Sequence, residues 1–148
     1  FQWSTAERQA LKTFVENGGF IFGDSICASS QFAESFRREM RLIFPEQILR
    51  RLPAEHDLFT SQFGGFDITK VTLRSPATKL NGERIQAQEA SVTPHVEGIL
   101  FDGRLAVAFS PFDLSCALEN QNSVECKGYL QQDAARIATN IVIYALQQ

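Results

Sequence analysis

The sequence contains no apolar run approaching the roughly 20 residues that a membrane-spanning helix requires. It also lacks a basic tract: 14 Lys and Arg residues face 17 Asp and Glu residues, which argues against a general nucleic-acid-binding protein. Three cysteines are too few for a disulfide-dense miniprotein. Tyr and Trp are scarce beside 13 Phe residues, and this balance favours core filling over a wet recognition surface.

What is present fits one globular domain. The chain has 148 residues, is 44% hydrophobic and carries a net charge of −3, and this size commonly forms one domain with its own core. We therefore expect residues 1–148 to form a single domain. The chain begins Phe1-Gln2-Trp3, without an initiator Met or a signal stretch. This beginning suggests a processed product or a piece of a longer protein.

The first 24 residues predict a helix followed by a buried strand. Ser4-Thr5-Ala6-Glu7 matches a capping box, and Asn17-Gly18 is typical of a helix end. The apolar run Gly19-Phe20-Ile21-Phe22-Gly23 then ends in Asp24, as expected for a strand buried on both faces. A helix that leads directly into such a strand predicts a parallel α/β sheet.

Further along the chain the pattern predicts two more helices and several strands. The helices are expected from Ser29 or Ser30 to Phe44 and over 131–145, and a type I′ hairpin is expected at Asp102-Gly103. Weaker patterns predict a strand over 68–73, a turn at Asn81-Gly82 and a second strand over 84–90.

Polar side chains follow the two best-defined strands. Asp24 and Ser25 end the first, and Ser110 and Asp113 follow the second arm of the hairpin. Ligands of parallel sheets bind at the carboxyl ends of strands, so these residues are candidates for a ligand site. The alternative is that the two carboxylates only cap turns. Arg37 and Arg38 are candidate anion-binding residues, or else part of a solvated helix face paired with Glu34.

Patterns of known catalytic chemistry are absent. The sequence has no Gly-x-Ser-x-Gly or Gly-x-Cys-x-Gly elbow, no metal-ligand spacing of His or Cys, and no phosphate-binding loop. We therefore expect no metal and no cofactor. His56 is a candidate general base, although a hydrogen-bonded loop histidine is the simpler explanation of its position after Pro53. Cys27 is more readily explained as a small buried residue than as a nucleophile.

The odd number of cysteines allows at most one internal disulfide. Cys116 and Cys126 are close enough in sequence to bridge a short excursion. The alternative is that the cysteines are unbridged thiols. Cysteine usage therefore does not decide the cellular compartment.

Several separate motifs together resemble a bacterial family, domain of unknown function 4159. They are, in chain order, Asn17-Gly18-Gly19-Phe20-Ile21-Phe22-Gly23-Asp24, Phe36-Arg37-Arg38-Glu39-Met40, Phe44-Pro45, Leu52-Pro53-Ala54-Glu55-His56-Asp57-Leu58-Phe59, Gly103-Arg104-Leu105-Ala106-Val107, Ser110-Pro111-Phe112-Asp113-Leu114 and Asn140-Ile141-Val142-Ile143-Tyr144-Ala145-Leu146. The family is similar to the class I glutamine-amidotransferase-like superfamily. This resemblance implies a flavodoxin-like, mostly parallel sheet with flanking helices, to which the Asp102-Gly103 pattern adds one antiparallel hairpin.

The resemblance carries further expectations but no activity. It implies that the chain is the later portion of a larger domain and that a periplasmic or membrane-associated setting, through a segment outside this sequence, competes with a cytoplasmic one. The amidotransferase Cys-His-Glu triad is not recognisable, because Gly23-Asp24-Ser25 stands where a cysteine elbow would be. Candidate site residues that match the family pattern are Asp24, Arg37, Arg38, His56, Ser110 and Asp113, with Ser25 beside them.

These observations lead to three functional hypotheses. The first is a binding domain that recognises a small polar ligand or a protein partner at the strand ends. The second is a hydrolase that uses Asp24 or His56 as general base. The third is a structural assembly module, which predicts an exposed apolar patch. Whether the chain forms a homo-oligomer stays open.

Overall fold

A computed structural model describes residues 1–76, 87–121 and 125–147. In these residues the helices are α1 (Thr5–Glu16), α2 (Ser30–Ile43), α3 (Ser115–Leu118) and α4 (Gln131–Leu146). The strands are β1 (Ile21–Asp24), β2 (Arg50–Arg51), β3 (Val71–Pro76), β4 (Ala87–Val92), β5 (Glu97–Phe101), β6 (Arg104–Ser110) and β7 (Gly128–Tyr129). Short 3-10 turns cover Ile26–Ala28 and Asp57–Phe59.

The strands form two sheets, and the expected flavodoxin-like, mostly parallel sheet is wrong. In the first sheet the order is β1-β6-β5-β2, where β1 and β6 run parallel but β5 pairs antiparallel with both β6 and β2. The second sheet, β4-β3-β7, is antiparallel throughout. The architecture is therefore α/β with one mixed and one antiparallel sheet. The predicted hairpin accounts for the direction of β5, but β2 also pairs antiparallel with β5, and β3 pairs antiparallel with both β4 and β7.

The predicted helix ends are confirmed. The Ser4 side chain accepts from the Glu7 amide, and the Glu7 carboxylate accepts in return from the Ser4 backbone, which completes the capping box. Gly18 has φ +93°, so it takes the left-handed conformation expected just after the helix. Ser29 caps α2, and α4 begins at the predicted residue and ends at Leu146.

The predicted hairpin is confirmed as well. Asp102 and Gly103 both have positive φ, 51° and 83°, as a type I′ turn requires. In β6, residues 105–110 are all buried, so the strand lies inside the first sheet as its apolar sequence predicts.

Strand β1 departs from the prediction of burial on both faces. Among the described residues it pairs only with β6, and its Phe22 side chain is 39% exposed. Gly23 is the position of closest packing, because a Cβ there would lie 2.7 Å from the Phe36 ring. The apolar run therefore marks an edge strand with one tightly covered face.

The middle of the chain is only partly as predicted. A strand does form near 68–73, but it is β3 and begins at Val71. The predicted strand over 84–90 coincides with β4 from Ala87 onward. Residues 84–86 and the turn at Asn81-Gly82 lie outside the described residues.

The first sheet lies between two apolar clusters. Residues of α1 and α2, including Val15, Phe36 and Met40, pack on one face against Val107 and Phe109 of β6. The other face packs with the second sheet and α4, and Leu105 and Ala108 belong to that cluster. The parallel pairing of β1 with β6 places the carboxyl ends of the two strands side by side. None of the helices in the described residues is long and apolar enough to cross a membrane.

Candidate functional site

Four of the predicted site residues meet where β1 and β6 end. Asp24 is the register partner of Ser110, and the Ser25 amide donates to the Ser110 carbonyl oxygen at 3.0 Å. Asp113 follows in the turn after β6 and is 2% exposed. We call Asp24, Ser25, Ser110 and Asp113 the strand-end junction. The structure therefore brings these four residues together at one edge of the first sheet.

The Asp24 carboxylate holds the first residues of α3. It accepts from the Leu114 amide at 3.1 Å, from the Ser115 amide at 3.0 Å and from the Ser115 hydroxyl. Burial raises the pKa of Asp24, the hydrogen bonds from Ser115 and Leu114 lower it, and the nearby Asp113 charge raises it, so the net direction is upward. The carboxylate therefore serves as a helix cap from the opposite strand.

The Asp113 carboxylate connects the turn after β1 with α3. It accepts from the Cys27 amide at 2.5 Å and from the Cys116 amide at 2.9 Å. Its own backbone amide donates to Lys127, and its carbonyl accepts from Tyr129. One side chain thus joins the 3-10 turn after β1 to α3, while its backbone holds the segment that leads into β7.

The two hydroxyls at the strand-end junction also have internal partners. The Ser25 hydroxyl donates to the Ser29 carbonyl oxygen at 2.9 Å, and the Ser110 hydroxyl donates to the Phe112 carbonyl oxygen at 2.6 Å. Both residues are 0% exposed. All four side chains are therefore engaged in holding the backbone, as in the turn-capping alternative.

A disulfide covers this region, but it is not the pair suggested by sequence proximity. Cys27 is bonded to Cys126, and Cys116 is the free cysteine. Cys27 and Ala28 both have positive φ, 54° and 53°. This backbone conformation is uncommon for residues with a side chain, and here the Cys27 amide points to the Asp113 carboxylate.

Arg37 and Arg38 lie on α2 but have different partners. Arg37 binds Glu97 of β5 through two hydrogen bonds, Nε to Oε2 at 2.8 Å and Nη2 to Oε1 at 2.5 Å. Its guanidinium carbon also lies 5.4 Å from the centre of the Phe109 ring. Arg38 donates to the Phe1 carbonyl oxygen, and its Nε lies 3.6 Å from Glu39 Oε1. The expected pairing with Glu34 is not the contact that holds either side chain.

Glu97 is the centre of a charged network that sequence reasoning missed. Its Oε1 also lies 3.3 Å from His95 Nε2. Burial acts to raise the pKa of Glu97, but the hydrogen bonds and charges of Arg37 and His95 outweigh it and bring the pKa to about 2. The carboxylate at the start of the apolar strand β5 is visible in the sequence, but its partner sixty residues earlier in the chain is not.

His56 belongs to a different part of the molecule. Its Nδ1 accepts from the Leu58 amide at 3.1 Å, which caps the 3-10 turn that follows. Its ring lies 5.6 Å from that of Tyr144 of α4. Burial lowers the pKa of His56, partly offset by the Asp57 charge. Asp24 ends the β1 edge strand, whereas His56 lies beside β2 and β5, so the structure does not bring the two proposed bases together.

The side of the sheet near His56 carries an open groove of about 500 Å³. This size is typical of small-molecule sites. Its lining combines cationic, acidic and apolar side chains, namely Glu46, Gln47, Ile48, Arg50, Arg51, Leu52, Pro53, His56, Gly98 and Leu100. We refer to these residues as the β2 groove.

The two arginines of the β2 groove are exposed. Within residues 1–76, 87–121 and 125–147, neither guanidinium makes an ion pair. Sequence patterns do not single out Arg50-Arg51, because the pair lies in an irregular stretch and a two-residue strand has no periodicity. The part of the chain that the structure describes also contains no cluster of three metal-ligating side chains.

Comparison with known proteins identifies a family but no characterised relative. The model of one family, described as "Domain of unknown function (DUF4159)", matches residues 1–146. No curated protein and no solved structure matches the chain. The wider relationship to glutamine-amidotransferase-like proteins therefore stays a prediction.

Proposed function

The chain belongs to the DUF4159 family, and on that premise we propose that it is a binding domain for a small anionic molecule with an apolar portion, held in the β2 groove. The observation that carries this proposal is the exposed Arg50-Arg51 pair beside an apolar floor. Guanidinium groups bind carboxylates through paired, charge-assisted hydrogen bonds. The ligand class is therefore a carboxylate that carries an aliphatic or aromatic group.

The floor of the β2 groove supports the apolar part of such a ligand. Leu52 packs so closely over Gly98 that a Cβ on Gly98 would lie 2.9 Å from its Cδ2 atom. Ile48 is 60% exposed and Leu100 is 52% exposed, so both present apolar surface to a ligand. Covering these two side chains removes apolar surface from water and adds to the affinity. Glu46, on the same lining, disfavours a second negative charge on the ligand.

His56 supplies a neutral donor to this groove. Because Nδ1 accepts from Leu58, the proton of the neutral imidazole resides on Nε2. The lowered pKa of His56 keeps the ring neutral near pH 7. A carboxylate or carbonyl oxygen of the ligand is the matching acceptor.

A protein partner is a second candidate occupant. The same exposed Ile48 and Leu100 favour it, because exposed apolar side chains beside arginines are typical of binding surfaces. In that case the occupant is an acidic segment of the partner with an apolar side chain. The two candidates are distinguished by comparing two affinities, that of a capped acidic peptide and that of a free carboxylate with the same side chain. Tighter binding of the peptide favours the protein partner.

The test is calorimetric titration with hexanoate, phenylacetate and the matching neutral amides. We expect the carboxylates to bind and the amides to bind at least tenfold more weakly. The double variant Arg50→Gln/Arg51→Gln should lose at least tenfold in affinity for the carboxylates. Arg41→Gln is the matched control, since Arg41 is an exposed arginine of α2 outside the groove.

Two results would contradict this function. One is that no carboxylate and no acidic peptide binds to the folded protein. The other is that carboxylates bind equally well to the double variant and to the control. In the second case the ligand site lies elsewhere.

We also propose a periplasmic location. The Cys27–Cys126 disulfide supports it, because such bonds persist in oxidising compartments and are rare in the bacterial cytoplasm. Fractionation of the native host, followed by thiol labelling of the protein in each fraction, tests this location. Recovery in the cytoplasmic fraction with all three cysteines labelled would contradict it.

A further inference from the structure

The three cysteines of the chain lie around one carboxylate. Asp113 accepts from the amides of both Cys27 and Cys116. Its backbone amide donates to Lys127, the neighbour of Cys126. The α3 helix, which contains Cys116, also contacts the 3-10 turn that contains Cys27. The backbone of the free Cys116 is therefore held close to the turn that carries the Cys27–Cys126 disulfide.

We propose that Cys116 exchanges with the Cys27–Cys126 disulfide, so that the chain has two alternative pairings. The Cys116 sulfur loses its proton and attacks the Cys27 sulfur. A Cys116–Cys27 bond forms as the Cys27–Cys126 bond breaks, and the electron pair leaves on the Cys126 sulfur, which takes up a proton. One thiol and one disulfide exist before and after, so no external oxidant or reductant is needed.

Asp113 favours attack on Cys27 over attack on Cys126. The Cys116 and Cys27 amides share the two oxygens of this carboxylate, whereas Cys126 is connected to Asp113 only through its neighbour in sequence. The Cys116 thiol also donates to Asp113, and this hydrogen bond raises the pKa of Cys116, with smaller contributions from burial and from the Asp113, Glu119 and Asp24 charges. The resting thiol is therefore protonated and slow to react.

The exchange would alter which elements are covalently joined. In the described pairing the disulfide ties the turn after β1 to the segment that leads into β7. In the alternative pairing it ties that turn to α3, and the segment around Cys126 is held only by hydrogen bonds and packing. The exchange is thus a switch between two connections at the carboxyl ends of the strands.

Disulfide mapping tests this proposal on the oxidised, unmodified chain. In each sample, taken before or after incubation, the free thiols are blocked with N-ethylmaleimide. The protein is then digested with pepsin at acidic pH, where exchange is suppressed. We expect Cys27–Cys126 with blocked Cys116 at the start. After incubation without added thiol at pH 8.5, we expect Cys27–Cys116 with blocked Cys126 to appear beside the starting pairing. Between pH 6.5 and 8.5 the rate should rise about tenfold per unit, following the thiolate fraction.

Two variants sharpen the experiment. Cys116→Ser should keep the Cys27–Cys126 bond at every pH, while Cys126→Ser should form Cys27–Cys116 under mild oxidation with oxidised glutathione. The proposal is overturned if the unmodified chain keeps only Cys27–Cys126 throughout and Cys126→Ser leaves both thiols free. A Cys116–Cys126 product in the unmodified chain would overturn the proposed direction of attack.

Discussion

The strand-end junction and the β2 groove are both rich in polar side chains, yet they differ in what those side chains bind. At the junction both carboxylates accept from backbone amides, and both serine hydroxyls donate to nearby carbonyls. In the groove Arg50 and Arg51 are exposed and make no ion pair within the described ranges. The polar side chains of the strand-end junction therefore stabilise the fold. The side chains that are free to bind a ligand are the exposed arginines of the β2 groove, which make no ion pair in the described ranges.

The largest effect expected from this comparison is at Asp113. Asp113→Ala leaves the Cys27 and Cys116 amides without their acceptor inside the protein. Two unsatisfied donors cost about 4 kcal/mol of unfolding free energy. Urea denaturation of the oxidised protein measures it, and Asp113→Asn, which keeps one acceptor oxygen, should lose less. A loss below about 1 kcal/mol for Asp113→Ala would show that the carboxylate is free for a ligand.

The next largest effect concerns acid stability at Glu97. Its pKa of about 2 lies below the ordinary 4.5, so its ionised form stabilises the fold above about pH 4.5 and that contribution disappears as the pH falls towards 2. The shift corresponds to about 3 kcal/mol. Urea titrations at successive pH values measure it. Glu97→Gln should remove this part of the pH dependence. If the free energy of unfolding of that variant still falls as steeply between pH 4.5 and 2, the acid sensitivity belongs to another group.

A smaller effect is expected at Asn140 of α4, whose side chain holds the loop beside His56. It accepts from the Phe66 amide and donates to the Leu58 and Phe66 carbonyl oxygens at 2.9 and 2.8 Å. Asn140→Ala should cost about 2 kcal/mol. It should also weaken ligand binding in the β2 groove, because Leu58 fixes His56. Thermal unfolding measures the loss of stability, and titration measures ligand binding. Unchanged binding would show that the loop held by Asn140 does not affect the β2 groove.

The smallest stability effect is expected in the groove itself. Arg50→Gln/Arg51→Gln should change the free energy of unfolding by less than about 0.5 kcal/mol, since exposed substitutions without partners cost little. Binding of carboxylates should nevertheless be lost. Chemical denaturation of the double variant and the unmodified chain checks the first part. A loss above 2 kcal/mol would make the arginines structural, like the residues of the junction.

The sequence predicts local structure in this protein well where short-range chemistry decides it. The Ser4–Glu7 capping box, Gly18 and the Asp102-Gly103 turn depend on residues within a few positions of each other, and all three are confirmed. The direction of β5 relative to β6 follows from that turn. The mostly parallel sheet, expected from the first helix and strand and from the family resemblance, was wrong because β2 pairs antiparallel with β5 and the second sheet is antiparallel, and the pairs β2–β5 and β3–β7 join segments far apart in the chain.

The candidate site was predicted less well, for a different physical reason. The sequence placed Asp24 and Asp113 at the ends of two strands, and the parallel pairing of β1 with β6 brings those ends together at one sheet edge. The sequence could not show that amides ninety residues away occupy Asp24, nor that Cys27 rather than Cys116 bonds Cys126. Those outcomes depend on long-range packing. The Arg50-Arg51 pair was missed because exposure and the lack of partners are properties of the folded surface.

The Cys27–Cys126 bond has a consequence for the unfolded chain. Its cysteines are 99 residues apart, so denaturation under oxidising conditions leaves a covalent ring with a free tail at each end. Closing a ring of that size lowers the chain entropy by an amount worth about 4.7 kcal/mol. A ring closed between Cys27 and Cys116 would be ten residues shorter, and the two closures differ by only about 0.1 kcal/mol. Polymer statistics alone therefore leave the two pairings nearly equal, and the folded contacts around Asp113 select between them.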